Sequence, residues 1–389
     1  MYEFDQIIDR SHTDASKVIP QSDAHRDCIP LWVADMDFAA APAIQEAIVK
    51  RLQTPIYGYT ERSDRYYDAV IGWMGKRHNW NVKKEWIVTI PGVVPAMAVT
   101  MRTWVKPGEK AIILPPLYPP FASMIDSNGG IVVTSPLALQ NGHYEIDFYD
   151  FEQKAKDPAV KMFFLCNPHN PGGRVWSREE LQRIADICLA NDVLIFSDDI
   201  HHDIVFPGHT YTPIASLSSE VADITITATS AGKSFNIAGF KAANIIISNS
   251  KLRNAFRRTV QALGMNDLDV MPIEATIAAY TEGEAWFEAM MEYIQGNNKL
   301  IEEFITARIP EVKVFEQEGT YLKWLDFREL GLSPDELKDF LQLKAKVWLN
   351  QGISFGENGA GFMRLNMASP RAVIQEALER MEKAIHERR

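Results

Sequence analysis

A lysine at the end of a β-branched run has the first chemical claim in this chain. Thr225-Ile226-Thr227-Ala228-Thr229 reads as a strand and Ser230-Ala231-Gly232 as a turn of small residues; Lys233 follows, ahead of Ser234-Phe235-Asn236. A lysine in such a place can be desolvated against a bound group, so that its pKa falls and its amine becomes a nucleophile able to form a Schiff base. Most lysines are solvated surface charges, so the case for Lys233 rests on its surroundings. Open α/β sheets bind ligands at the carboxyl ends of their strands. Those ends are where support has to be found.

After the strand expected over residues 86–90 come Pro91-Gly92-Val93-Val94-Pro95-Ala96 and a helical run. A glycine opening a helix lets backbone N–H groups point at an anion, although the same loop also reads as a tight turn with Gly92 at positive φ. It is neither G-x-G-x-x-G nor a Walker loop, and neither motif occurs in the chain. Past 111–114, the prolines of Pro115-Pro116-Leu117-Tyr118-Pro119-Pro120 stiffen a loop. They present Tyr118 either for stacking on a flat ring or as a core residue. Past 161–165, Asn167-Pro168-His169-Asn170-Pro171-Gly172-Gly173 is a rigid turn that can aim an amide at a ligand, or turn chemistry alone. Past 193–196 comes Ser197-Asp198-Asp199-Ile200-His201-His202-Asp203. Asp198 either caps the next turn or keeps a pyridinium nitrogen protonated, as a cofactor acting as electron sink requires. Ser230 is a turn hydroxyl or a phosphate donor. His201 and His202, adjacent on an extended segment, point to opposite sides, and no metal site is expected.

The elements that must carry these residues follow from patterning. Near-continuous apolar strands, completed by segments at 131–133, 223–227 and 243–247, alternate with helices, the clearest at 178–191. This predicts an α/β fold with a largely parallel sheet covered on both faces. Pro42 opens a helix with Ile44, Ala47, Ile48 and Leu52 on one side, and another helix is expected over 64–78. Past about residue 280 an α+β unit is expected. It comprises a long helix over 286–307, antiparallel strands at 312–315 and 320–327, and a helix opened by the capping box Ser333-Pro334-Asp335-Glu336. Short strands at 347–349 and 361–366 and a charged amphipathic helix complete it.

The 389 residues are 46% apolar and 23% charged, an ordinary globular balance with room for two domains. A net charge of −11 argues against nonspecific nucleic-acid binding and gives no support for an anionic membrane surface. No apolar run approaches the roughly 20 residues that span a bilayer. Met1-Tyr2-Glu3-Phe4-Asp5 lacks the character of a signal peptide. Cys28, Cys166 and Cys188 are odd in number and widely spaced, which suggests reduced thiols in a cytoplasm, with Cys166 a buried small hydrophobe.

Taken in order, a phosphate turn, an aromatic, an asparagine, an aspartate and a lysine follow successive strands. In this the chain resembles the fold-type I pyridoxal-phosphate (PLP) enzymes, the aspartate aminotransferase superfamily, over essentially its whole length. It is most similar to the MalY/PatB-type C–S β-lyases, or cystathionine β-lyases. The residues that carry this are Trp32-Val33-Ala34-Asp35-Met36-Asp37-Phe38, Tyr57-Gly58-Tyr59, Ser197-Asp198-Asp199-Ile200-His201, Lys233-Ser234-Phe235-Asn236-Ile237-Ala238-Gly239 and Phe362-Met363-Arg364-Leu365-Asn366.

The resemblance implies a PLP-binding large domain over 45–285 and a smaller α+β domain from the two chain ends, 1–44 and 286–389. It implies that Lys233 forms the internal aldimine and moves the Cα proton. Asp198 would pair with the pyridine nitrogen, Asn170 would hydrogen-bond the ring hydroxyl, and Tyr118 would stack on the ring and meet the substrate. Val93, Val94, Ser230 and, from a second subunit, Tyr59 would hold the phosphate. Arg364 would clamp the substrate carboxylate in a bidentate fork. His201 stands where aminotransferases usually carry a tyrosine that touches the ring hydroxyl, which favours the lyases. Lys241 stands where they often place a phosphate-binding arginine, and its role is left open. Asp35, Met36 and Phe38 line the pocket or serve the core or an interface. The implied activity is α,β-elimination of L-cystathionine or related cysteine S-conjugates to a thiol such as homocysteine, pyruvate and ammonia. The implied setting is a cytoplasmic homodimer with shared active sites and a small amino-acid substrate. The alternatives are an aminotransferase using the same early steps and a non-catalytic regulatory protein that kept the fold.

Overall fold

Seven apolar runs form one sheet. A computed structural model describes residues 2–140 and 142–388; Met1, Asn141 and Arg389 lie outside the described residues. In chain order the strands are β1 (Ile87–Ile90), β2 (Lys110–Ile113), β3 (Ile131–Thr134), β4 (Val160–Cys166), β5 (Leu194–Asp198), β6 (Thr225–Thr229) and β7 (Ala243–Ile246). Their spatial order is β1-β7-β6-β5-β4-β2-β3. The five from β6 to β3 pair in parallel, and β7 runs antiparallel to both its neighbours. The sheet is therefore largely parallel, as predicted, with one reversed strand. Every residue of β1, β6 and β7 is buried. A sheet covered on both faces has no wet side, so its strands show no polar alternation.

The covering helices include α1 (Pro42–Leu52), α2 (Asp64–His78), α3 (Val93–Trp104), α4 (Arg178–Ala190), the single turn α5 (Ala231–Ser234) and α6 (Val270–Glu282). α1 opens on Pro42 as the sequence implies, and Ser177 with Glu180 forms a capping box on α4. One boundary moves. Residue 223 does not begin a strand, because Ser218 accepts the Val221 N–H and caps a helical turn over Ser219–Asp223, so that β6 starts at Thr225.

A second, antiparallel sheet has β8 (Lys313–Val314), β9 (Leu322–Asp326), β10 (Asn350–Gln351) and β11 (Phe362–Asn366) in the order β8-β9-β11-β10. It packs with α7 (Glu284–Arg308) and α9 (Arg371–Arg388), while α8 (Pro334–Asp339) carries the predicted Ser333–Glu336 capping box. Trp324 and Asn350 flank Arg364 across the strands. The turn after β10 passes so close to the start of β11 that a Cβ on Gly352 would lie 2.5 Å from the Phe362 carbonyl oxygen. Only glycine fits there. Ile29–Pro30, from a stretch without periodicity, pairs in parallel with Val347–Trp348 at the far end of the chain. One apolar cluster runs from Phe4 and Leu31 through Trp73, Phe235 and Trp286 to Leu322 and Leu378, so the two sheets share a continuous core.

Candidate active site

The carboxyl ends of β1, β2, β4, β5 and β6 open onto one cavity of about 590 Å³. Its wall holds Val93, Val94, Tyr118, Asn170, Asp198, His201, Ser230, Lys233, Lys241 and Arg364. The residues that the resemblance implies for the cofactor and the substrate carboxylate therefore converge on one place, except Tyr59. That side chain is fully exposed and lies outside this cavity.

Each side chain is placed by a local device. Gly92, at φ +110°, N-caps α3 and leaves the N–H groups of Val93 and Val94 in the first turn, where no intrahelical carbonyl reaches them. That is a ready anion site. Ser230 caps α5: its Oγ accepts from the Gly232 N–H at 3.0 Å and donates to the Ala242 carbonyl at 2.6 Å. To donate to a phosphate, this hydroxyl must turn away from Ala242. Lys233 donates its amine to the Ala34 carbonyl. Burial, reinforced by the charge of Arg364, lowers the amine pKa to about 8. A useful fraction is then unprotonated near neutral pH.

Asp198 ends β5, level with Cys166 and Ala228 on the neighbouring strands, and accepts from the Ile200 N–H at 3.1 Å. Burial raises its pKa to about 7, against the pull of that N–H and of Lys233. A buried carboxylate so poorly compensated favours a cationic partner in the cavity. His201 is buried, its Nδ1 has no partner among the described residues, and burial together with Lys233 and Arg364 keeps the ring neutral. Arg364 on β11 donates to Asn170 Oδ1 at 3.0 Å and to the Trp32 carbonyl at 2.9 Å, and its Nε is unpartnered among the described residues. Burial lowers its pKa to about 10, so it remains a cation. Asn170 spends its oxygen on Arg364, which leaves its NH2 as the donor available to a ligand.

How the segment around Ala34 works is not legible in its residue types. Trp32, Val33 and Ala34 line the cavity, whereas Met36 and Phe38 are core residues. Asp35 pairs with Arg10 and Lys17 rather than lining the cavity. Carbonyls along this segment are held by side chains from distant parts of the chain: Val33 by Asn366 (2.7 Å), Ala34 by Tyr321 (3.0 Å), and Met36 and Phe38 by Asn236 (3.1 and 2.8 Å). Asn350 also lines the cavity, brought there by its pairing with Arg364. The donor set suits PLP: helix-start N–H groups for a phosphate, an uncompensated carboxylate for a ring nitrogen, and a lysine of lowered pKa for an aldehyde.

Residues 26–381 match the aminotransferase class I and II family, and the chain belongs to it. More particularly, it is 43% identical over 359 residues to cystathionine beta-lyase PatB of Bacillus subtilis (strain 168), covering 92% of this chain and 93% of that protein. It is 31% identical to Protein MalY of Escherichia coli (strain K12) over 389 residues, 99% of each. Cystalysin from Treponema denticola, whose crystal structure contains a pyridoxal 5'-phosphate cofactor, is similar at a TM-score of 0.97 and 36% identity, with 100% of both chains covered.

Proposed function

We propose that this protein is a PLP-dependent carbon–sulfur β-lyase that cleaves L-cystathionine or a related cysteine S-conjugate to a thiol, pyruvate and ammonia. One observation carries the reading: Lys233 and Asp198 face one cavity in a chain 43% identical, along 92% of its length, to a cystathionine beta-lyase. When bound, PLP supplies an electron sink for charge developing at the substrate Cα. Lys233 would hold the cofactor through its amine and would take the proton from the substrate Cα. Asp198 keeps the ring nitrogen protonated. Asn170 through its NH2, with His201 beside it, meets the ring hydroxyl, and Tyr118 covers the ring and the substrate. Val93, Val94 and Ser230 take the phosphate, with Lys241 adding charge from the same cavity. The Cβ–S bond breaks with its electron pair leaving on sulfur as thiolate. The aminoacrylate released adds water to give pyruvate and ammonia.

The test omits any keto acid. Enzyme mixed with L-cystathionine alone should release pyruvate and thiol continuously. A single stoichiometric turnover that resumes only with added keto acid would establish the aminotransferase alternative, which the family match keeps open.

Arg364 takes the substrate carboxylate, using the cation that its hydrogen bonds to Asn170 and Trp32 aim. Arg364→Lys keeps the charge but loses the planar fork. It should lower kcat/KM about 10- to 100-fold, mainly through KM, at about 1.5–3 kcal/mol per lost charged hydrogen bond. Steady-state kinetics over substrate concentration checks the split.

The working unit in this reading is a homodimer. Val49, Leu52, Ile56, Tyr57 and Tyr59 leave an exposed apolar surface on α1 and the segment after it. Tyr59 would reach the phosphate of a second copy from there. Mixing inactive Lys233→Ala with Tyr59→Ala protein should then recover activity above that of either alone, because a mixed dimer contains one intact site. Mixing without recovery would remove the shared site. The same reading divides the chain into 45–285 and 1–44 with 286–389, in keeping with the confinement of each sheet to one unit. It places the enzyme in the cytoplasm, in keeping with three free cysteines and, among the described residues, no helix long and apolar enough to cross a membrane.

A further inference from the structure

Behind the cavity lies a buried polar cluster that the proposed chemistry leaves unused. Asp203, its carboxylate without solvent exposure, accepts Ser234 Oγ on Oδ2 at 2.5 Å. On Oδ1 it accepts Trp73 Nε1 at 2.9 Å and faces His78 Nε2 at 2.8 Å. His202 stands 3.4 Å from the same oxygen. The Nδ1–H of His202 is given to the Asp199 carbonyl at 2.6 Å, so Nε2 carries the lone pair, and it has no donor among the described residues. Burial holds this histidine neutral, with a pKa of about 4. The His78, His202 and Asp203 ligand atoms all lie within 4.8 Å of one another. Both Asp203 oxygens already receive N–H or O–H donors, which would have to turn away before a cation entered. The cluster is better read as a hydrogen-bond hub.

What the hub joins is informative. Trp73 and His78 belong to α2, Asp203 to the loop that carries His201, and Ser234 to α5 directly after Lys233. α5 is one turn of four residues, and one turn has no stability of its own. Its orientation is set by tertiary ties. On one side is the Ser230 cap, and on the other is Ser234 bound to an ionised carboxylate, a short charge-assisted bond.

We propose that Asp203 is a positioning residue for Lys233: acting through the Ser234 hydroxyl, it holds α5 in the rotation that aims the amine at the Ala34 carbonyl and the cavity. This rests on the reading that Lys233 carries the cofactor. Displacement of the amine by a fraction of an ångström affects chemistry more than substrate binding, so the effect belongs in kcat.

The experiment uses the full-length holoenzyme with Ser234→Ala, which deletes the hydroxyl but leaves Asp203 its His78 and Trp73 partners, and Ser234→Thr, which restores a hydroxyl. Three quantities are measured: the pH titration of the bound cofactor's visible band, kcat and KM with L-cystathionine, and the urea midpoint. Ser234→Ala should shift the band's titration midpoint by about half a pH unit or more. It should lower kcat about tenfold with KM within about twofold. Ser234→Thr should restore both. A Ser234→Ala enzyme with unshifted titration and kcat within about twofold of the parent overturns the proposal, whatever its urea midpoint. Failure of the underlying reading appears elsewhere, as a Lys233→Ala protein that can still be covalently trapped with the cofactor.

Discussion

Lys233→Ala should cut L-cystathionine turnover by about three orders of magnitude or more, because the change removes both the cofactor's covalent anchor and the base at Cα. Structural damage should be small. The one acceptor that loses a partner, the Ala34 carbonyl, keeps the Tyr321 hydroxyl at 3.0 Å. The variant also removes an amine that burial makes costly to charge. A lysine whose pKa falls from 10.5 to about 8 binds fewer protons folded than unfolded between those values. Its charge therefore destabilises the folded state fully below pH 8, and the cost fades as pH rises toward 10.5. The cofactor-free variant should be at least as stable as its parent at pH 7, with an advantage that disappears in alkali. Borohydride treatment followed by peptide mass analysis should attach PLP to the peptide containing Lys233 in the parent and nowhere in the variant. Turnover above about a tenth of the parent's would remove Lys233 from its role.

How much of this site is legible in the amino-acid sequence depends on whether its parts are local in the chain. Asp198, Lys233 and the Gly92 turn announce themselves because each follows an apolar strand, and a parallel sheet aligns such ends automatically. The capping boxes at Ser177 and Ser333 are equally local, a hydroxyl three residues before a glutamate. The hub around Asp203 is not local. His78, His202 and Ser234 lie on three separate elements, and no spacing rule brings a residue of α2 to one of α5. The opposite orientation expected of the adjacent His201 and His202 is found, with one ring at the cavity and the other at the hub, but what His202 meets there is not marked by its neighbours in the chain. Trp32 and Ala34 act in part through carbonyl oxygens, which every residue type possesses, so their types could not mark them. Asn350 reaches the cavity only through its register with Arg364, a pairing settled by the close turn at Gly352.

Asp198 should show the opposite signs of stability and function in one substitution. Without cofactor, burial raises its carboxyl pKa from 3.8 to about 7. The folded chain therefore holds a proton between those values that the unfolded chain releases, and stability falls as pH rises across that window. Asn cannot ionise, so cofactor-free Asp198→Asn should match the parent near pH 4 and exceed it at pH 8 by about 2–4 kcal/mol. Asp199, raised in the same direction by burial, is present in both proteins and largely cancels. The loaded enzyme should behave in reverse. There the carboxylate has a protonated ring nitrogen to face, and its charge keeps that proton in place while electron density moves into the ring. An asparagine cannot hold that proton, and turnover should fall about 100- to 10,000-fold. Urea unfolding of the two cofactor-free proteins at pH 4 and pH 8, beside kcat for the loaded forms, reads both effects. A variant that is no more stable at pH 8 and turns over within about tenfold of the parent would show that Asp198 meets no cation in the cavity. A gain in one measurement and a loss in the other would show a carboxylate kept at a cost to the empty protein because the filled site needs its charge.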